Sequence, residues 1–331
     1  MDRRKFLLNS AALAVGVAAQ PSLLDLFDDD PVRHATGRLR YLRGLKRSGE
    51  PALPVYNLLV RHARGLDSLA SRFKGSDVER ELWAAQAQTL SEAGGAAFAY
   101  LGDHSAAEAH FHAGVRAAKR STDPRLRSKL LVNLAERRVH DPGGSPKSNL
   151  YDALWLANSA AAYADGDRFV LTDIHMWQAY ICASLGNEHG TREALEQAAT
   201  MIEQAKPTDR PEWLPLVSMA AVQETIGCSY IRLGAPQRAA DEIARALQAR
   251  SAEHHRPHQA LVLAWSAQAS AMLKQPEHAV SVLQRIIPSV VKAGYQQGAT
   301  EIRQARAALK PWEREPFTRE LDDQLAAAGL A

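Results

Sequence analysis

Residues 226–247 read IGCSYIRLGAPQRAADEIARAL and contain the pattern on which the fold prediction rests. Small residues stand where two helices would have to cross, with Gly227 on the first segment and Ala239 on the second. Between them, the Gly-Ala-Pro sequence at 234–236 is a turn and helix-stop signal. Apolar residues follow Ala239 at helical spacing, and the stretch therefore predicts two helices packed closely together as a hairpin.

The same pattern returns along the chain, which indicates several such hairpins in series. Alanines can be followed through the predicted second helices at spacings of 46, 41, 45 and 40 residues, at Ala107, Ala153, Ala194, Ala239 and Ala279. Another stretch carries Gly95, Phe98 and a Gly-Asp turn at 102–103 at matching offsets. Because the turn residues recur together with the alanines, the repeat does not rest on an alanine-rich composition alone.

This repeat resembles the tetratricopeptide (TPR) unit, although its period is longer than the usual length of about 34 residues. We therefore predict an all-α fold, a TPR-like α-solenoid in which hairpins with a period of about 40–46 residues form a right-handed superhelix. Five to six hairpins are expected between about residues 53 and 310, with capping helices at Val32–Arg47 and Glu315–Ala328. Residues 31–331 would form this domain, and residues 1–30 a separate N-terminal segment.

The composition agrees with a helical globular protein and excludes several other classes. The chain has 331 residues, of which 46% are hydrophobic and 23% charged, unlike a disordered protein. Lys and Arg number 40 against 37 acidic residues, and this net charge of +3 is too small to indicate a nucleic-acid-coating protein. The longest uncharged apolar run, Phe6–Gln20, is shorter than the roughly 20 residues that span a bilayer. We expect no direct nucleic-acid binding and no integral membrane span.

The N-terminal segment has two interpretations. Residues 2–7, DRRKFL, followed by an apolar stretch and small residues at 17–19, are similar to a twin-arginine export signal. Alternatively, residues 1–20 form an apolar helix that packs on the first repeats. Asp2 directly before the arginine pair weakens the export interpretation. We expect a cytoplasmic protein, with an exported TPR scaffold protein as the alternative.

Sequence motifs of common enzymes are absent, since the chain contains no GxxxxGK[ST], GxGxxG, HExxH or GxSxG. Cys182 and Cys228 fall at nearly equivalent places in successive predicted repeats, where a small buried residue is needed, so packing is their expected role. His254 and His258 flank Pro257 and are predicted to lie in a solvated loop. We expect no enzyme, no cofactor and no metal, with an enzyme whose site is assembled from scattered residues as the alternative.

Polar residues on the predicted first helices indicate a binding groove. Asn133 and Arg137 are four residues apart, and an Asn amide can hold a peptide backbone while Arg can hold a carboxylate with two hydrogen bonds. Glutamines follow at a spacing of 45 residues in the next first helices. We predict that the groove binds a peptide or protein partner through Asn133, Arg137, Gln178, Gln223, Tyr230 and Gln268. The alternative is a row of half-exposed polar residues that binds no ligand.

A family resemblance adds to this prediction. The DRRKFL stretch, the alanine-rich segment after it and the long TPR-like hairpins resemble the sensor half of actinobacterial transcriptional regulators of the XRE helix-turn-helix type. The resemblance implies peptide binding in a TPR groove, as in the related peptide-pheromone receptors of Gram-positive bacteria, with Asn133 as the backbone clamp. The helix-turn-helix domain of that family has no counterpart here. The resemblance therefore implies a sensor or adaptor in transcriptional or signalling control, or a truncated or mis-started reading frame, and leaves homodimerisation open.

Overall fold

The computed structural model describes residues 30–48, 50–141, 143, 145–249 and 256–331, so the predicted N-terminal segment lies outside the described residues except for Asp30. Within these ranges the chain is helical and contains no strand, which confirms the all-α prediction. In the same ranges fourteen α-helices follow one another: α1 (Pro31–Arg47), α2 (Ala52–Ala70), α3 (Asp77–Ala96), α4 (His104–Arg120), α5 (Pro124–Val139), α6 (Pro146–Ala161), α7 (Arg168–Ser184), α8 (Glu188–Gln204), α9 (Met219–Arg232), α10 (Pro236–Ala249), α11 (Arg256–Met272), α12 (Pro276–Ala293), α13 (Gln296–Ala308) and α14 (Pro316–Ala327). None of them combines the length and the apolar character that a membrane crossing requires.

The helices pair into hairpins that stack in chain order. Helix α3 packs on α4, α5 on α6, α7 on α8, α9 on α10 and α11 on α12, and the first helix of each hairpin also contacts the first helix of the next. The five alanines predicted at the crossings all lie in second helices and are buried. A Cβ added to Gly227 would lie 2.5 Å from Ile243 Cγ1, as expected for a close crossing. Helices α1 and α14 match the predicted capping helices to within one residue at each end, so the solenoid-like prediction is confirmed.

Local signals at the helix ends explain why the hairpins form where they do. Asp103, Asp123 and Asp167 each accept a hydrogen bond from a backbone N–H in the first turn of α4, α5 and α7. Gly102 and Gly234 adopt φ angles of 65° and 73° in turns between paired helices, where a side chain would be strained. These signals depend only on neighbouring residues, and the helix boundaries could therefore be predicted.

One hairpin differs from the others by a π-helical turn. Residues Ala97–Leu101, between α3 and α4, form a π-helix, which takes more residues per turn than an α-helix. The crossing is shifted by one residue: a Cβ at Gly94 would lie 2.4 Å from Phe111 Cε1, whereas a Cβ at Gly95 would meet no atom within 4 Å. The prediction that Gly95 marks this crossing is therefore wrong, and Gly94 takes its place.

Contacts between distant parts of the chain cover part of the inner side of the stack. Tyr100 of the π-helix packs against Tyr295 at the start of α13, with ring centroids 5.1 Å apart. The loop at 205–218, between α8 and α9, reaches back to the first hairpins. There Trp213 packs against the core cluster of α3 to α5, and Glu212 forms an ion pair with Arg40 of α1 at 2.6 Å. The first helices are thus partly covered by α13 and by this loop.

We expect opposite effects from alanine at the two neighbouring glycines. In Gly94→Ala the new methyl overlaps the ring of Phe111, which is 2% exposed and would have to shift, so the free energy of unfolding should fall by about 1–3 kcal/mol. In Gly95→Ala the methyl meets no atom, and alanine favours the helical conformation more than glycine does. The free energy of unfolding should therefore rise by up to about 1 kcal/mol. Urea unfolding of both variants measures this, and a larger loss for Gly95→Ala would contradict the shifted crossing.

Candidate functional site

Polar contacts join the first helices of successive hairpins, and we call this row of contacts the inner ladder. Its five pairs are Ser91–Asn133, Lys129–Asp173, Tyr180–Arg232, Glu224–His258 and Trp265–Glu301. Four of the pairs have donor–acceptor distances of 2.8–2.9 Å. A buried polar group is costly unless it is hydrogen-bonded. The inner ladder therefore allows the first helices to carry polar residues inside a packed array.

The two leading residues of the predicted groove both make contacts within the chain. Asn133 is 7% exposed, and its Nδ2 donates to Ser91 Oγ of α3 at 2.8 Å. Arg137 is 8% exposed and pairs with Glu108 Oε2 at 2.6 Å and Asp141 Oδ2 at 2.5 Å. The Asn133 amide thus points to α3 and the Arg137 guanidinium to α4, so the structure does not bring them together around one space.

Of the other four predicted residues, Gln178 and Tyr230 contact neighbouring helices. Gln178 donates to Asn158 Oδ1 of α6 at 2.8 Å. The Cζ of Arg238 on α10 lies 4.3 Å from the centroid of the Tyr230 ring. Gln223 and Gln268 are half-buried on α9 and α11. The contacts of Asn133, Arg137, Gln178 and Tyr230 therefore point in several directions, and the role of the six residues in partner binding stays a prediction.

A cavity of about 350 Å³ lies at the carboxyl-terminal ends of α5, α7 and α9. Its lining combines apolar and polar side chains from five helices and the residue after α5: Val139, His140, Pro146, Leu150, Tyr180, Ala183, Ser184, Arg232 and Gln304. Most of these residues are partly exposed, so the cavity opens to solvent. None of the lining residues named here is acidic. The lining can therefore offer hydrogen-bond donors and an apolar wall to a small group.

Arg232 is the charged group of this cavity. Its Nη2 donates to the hydroxyl of Tyr180, and its Cζ lies 4.2 Å from the centroid of the Tyr180 ring. Its Nε is buried and has no hydrogen-bond partner, and no carboxylate in the described part of the chain lies within 4.0 Å of the guanidinium. Burial raises the pKa of Tyr180, so the tyrosine is a neutral partner. Arg232 therefore carries a charge that no described acidic group neutralises by direct contact.

His140 forms another part of the wall and is uncharged at neutral pH. The centroid of its ring lies 6.2 Å from the centroid of the Tyr180 ring and 5.7 Å from that of Phe98 in the π-helix. Burial, together with the positive charge of Arg232, lowers the pKa of His140 to about 4. Among the lining residues, Arg232 is thus the only one that is charged at pH 7.

A half-buried carboxyl group lies near α13. It belongs to Glu136 of α5, and Gln297 of α13 interacts with it and favours its ionised form. Burial raises the pKa of Glu136 from 4.5 to about 7, and the charge of Lys129 opposes this rise while that of Asp173 adds to it. The protonation of Glu136 near neutral pH therefore bears on the contact between α5 and α13.

The cysteines and the histidine loop complete the comparison with the sequence. Cys182 and Cys228 are both buried, as expected for packing residues, and burial raises the pKa of the Cys228 thiol to about 12.

The prediction of a solvated loop is wrong for His258, which lies in α11 and contacts buried Glu224. The helix begins at Arg256, because proline is tolerated in a first turn. His254 lies outside the described residues, and within them no three His, Cys, Asp or Glu side chains are grouped as a metal ion would require.

Comparison with known proteins found no family model that matches this chain. No curated protein matches it either.

We expect Arg137 to be a structural residue, and its neighbour supplies the control. Arg137→Met leaves Glu108 and Asp141 without their buried partner, so the free energy of unfolding should fall by about 3 kcal/mol. Arg138 contacts the same two carboxylates, but its side chain is 31% exposed, and Arg138→Met should cost less than about 1 kcal/mol. Chemical denaturation distinguishes the two variants, and equal losses would show that burial of Arg137 does not matter.

Glu136→Gln should stabilise the protein at pH 8 and leave it nearly unchanged at pH 4. The folded chain keeps the proton of Glu136 up to about pH 7, whereas the unfolded chain releases it near pH 4.5, so the free energy of unfolding falls as the pH rises between these values. Glutamine does not titrate, and the expected gain at pH 8 is about 1–3 kcal/mol. Urea unfolding at both pH values measures it, and a gain of the same size at pH 4 would contradict the raised pKa.

Proposed function

We propose that this chain is a non-enzymatic regulatory protein of the TPR-like type, and that it binds the end of a peptide or protein segment in the cavity next to Arg232. The observation that carries the proposal is the cavity itself, with an apolar wall and hydrogen-bonding groups on several different helices. A ligand that contacts several hairpins at once favours one curvature of the stack over others, which gives a route to regulation.

The size of the cavity favours a chain end over an extended segment. A volume of about 350 Å³ corresponds to about a dozen water molecules at roughly 30 Å³ each. A ligand of roughly a dozen non-hydrogen atoms, such as one or two terminal residues, would fill it. The polar residues along the first helices are largely engaged in the inner ladder, as Asn133 is with Ser91. An extended peptide would have to break these pairs.

The chemistry of the lining favours binding over catalysis. General acid–base catalysis needs a group whose pKa lies near the working pH. The histidine of the cavity, His140, has a pKa of about 4, and the nearby Cys228 thiol has a pKa of about 12. The acidic side chains of the inner ladder, Asp173, Glu224 and Glu301, each have a hydrogen-bonding partner and do not line this cavity. Glu136 has a pKa of about 7, but it does not line the cavity either.

The proposal places the protein in the cytoplasm, in transcriptional or signalling control, as the resemblance to sensor domains implies. The alternative of an exported protein depends on residues 1–20, which lie outside the described residues. A change of the Arg3-Arg4 pair to Lys-Lys tests it, because secretion through the twin-arginine route should then stop.

Filling the cavity should abolish peptide binding. Ser184 lines the cavity and its hydroxyl donates to the backbone oxygen of Tyr180, four residues earlier. Thr200 makes the same kind of bond to Glu196 on the exposed side of α8. Ser184→Phe should therefore block the site, while Thr200→Phe is the matched control with the same local change.

The probe is a mixture of random-sequence synthetic tetrapeptides, selected on the immobilised protein and identified by mass spectrometry. We expect peptides enriched on the wild type and on Thr200→Phe to lose at least about tenfold in affinity with Ser184→Phe. Circular dichroism confirms that both variants fold, and Ser184→Leu is the milder replacement if the phenylalanine variant does not. Equal enrichment on Ser184→Phe and the wild type would overturn the proposed site.

A further inference from the structure

We infer that the cavity recognises a carboxylate, and that Arg232 binds the free C-terminus of the peptide. The inference rests on the proposed function and names the group that the cavity selects. It starts from the hydrogen-bonding state of Arg232. A guanidinium has five N–H donors, and the described partner of Arg232 is the Tyr180 hydroxyl alone. Because Arg232 lines the cavity, a ligand there can accept from the Nη donors that Tyr180 does not use.

The two most buried arginines of the described chain show how this fold satisfies such a group. Arg43 donates to Glu92 Oε1 at 3.0 Å and to Gln88 Oε1 at 3.1 Å. Arg137 pairs with Glu108 and Asp141. Both guanidinium groups thus have carboxylates from their own chain, whereas Arg232 has an aromatic face and a hydroxyl. A carboxylate is the partner that Arg232 lacks.

The nearest internal candidates for that partner are already engaged. Glu301 attracts Arg232 electrostatically, but it lies beyond ion-pair distance, and its Oε2 accepts from Trp265 Nε1 at 2.9 Å. Burial also raises the pKa of Glu301, which favours its neutral form. Backbone oxygens at the helix ends have partners as well: the amide of Gly186 donates to Ala183 O at 3.0 Å, and the amide of Ala235 donates to Tyr230 O at 2.8 Å.

The lining favours a carboxylate over an anion of higher charge. A guanidinium fork fits a carboxylate with two parallel hydrogen bonds. A phosphate carries about −1.5 to −2 charges, and the lining offers one positive group against it. The Gln304 amide can supply a further donor. Val139, Leu150 and Ala183 form the apolar wall, so we expect an apolar last residue beside the carboxylate.

Arg127 provides a matched control for Arg232. It also stacks on a tyrosine, with its Cζ 3.7 Å from the centroid of Tyr163, and its Nε is also buried without a partner. Unlike Arg232, it is not part of the cavity lining. Arg127→Gln and Arg232→Gln therefore remove the same kind of contact, and only the second alters the proposed site.

The experiment compares each enriched tetrapeptide with its C-terminal amide. We expect amidation to weaken binding to the wild type and to Arg127→Gln by about 10- to 100-fold. Binding to Arg232→Gln should be weak for both forms, with no preference between them. Arg232→Lys keeps the charge but loses the fork, and it should retain part of the preference. This variant also keeps the test valid if Arg232→Gln does not fold.

The outcomes separate this inference from the proposed function. If acids and amides bind equally and Ser184→Phe still blocks both, the cavity remains a peptide site. The inference that it recognises a carboxylate is then overturned. If no peptide is enriched, the proposed function fails, and 4-methylpentanoate against 4-methylpentanamide then decides the inference alone. A melting temperature that rises with the acid but not the amide, and does so only when Arg232 is present, supports the carboxylate. Equal responses to the two compounds overturn it.

Discussion

The structure depends on the close approach of two helices within each hairpin, and this approach requires a residue without a large side chain at the crossing. Gly94 meets Phe111, and Gly227 meets Ile243, at distances that leave no space for a methyl group. The buried alanines of the second helices meet the same requirement in the other partner. Close packing of each hairpin produces a thin, regular unit, and regular units can stack in series.

Stacking has a consequence for polar residues on the first helices. These helices face both their own partner helix and the next hairpin, and their polar side chains lose water on both sides. The inner ladder is the result, because a buried donor or acceptor is costly without a partner and the neighbouring hairpin supplies one. Two pairs of different chemistry show this. Lys129 forms an ion pair with Asp173, whereas the neutral indole N–H of Trp265 donates to the carboxyl group of Glu301.

The Tyr180–Arg232 pair differs from the other pairs of the inner ladder, because both of its residues line the cavity. The partner of Arg232 in the preceding hairpin is Tyr180, a neutral residue, and the space beside the pair is open. The stack places that space at the ends of three helices, where loops leave room that the packed middle of a hairpin does not. A site at this position would sense the arrangement of several hairpins at once, since its lining comes from α5, α6, α7, α9 and α13.

The sequence alone determined the hairpins, because caps, turns and small crossing residues act over a few neighbouring positions. It did not determine which polar residues meet. Asn133 and Ser91 are 42 residues apart, and Arg232 and Tyr180 are 52 apart. Their contact depends on how each hairpin packs on its neighbour. The predicted glutamines lie on three successive first helices, but an equal spacing along the chain does not say which neighbour each side chain faces. That choice follows from the packing angle between hairpins, which only the tertiary structure decides.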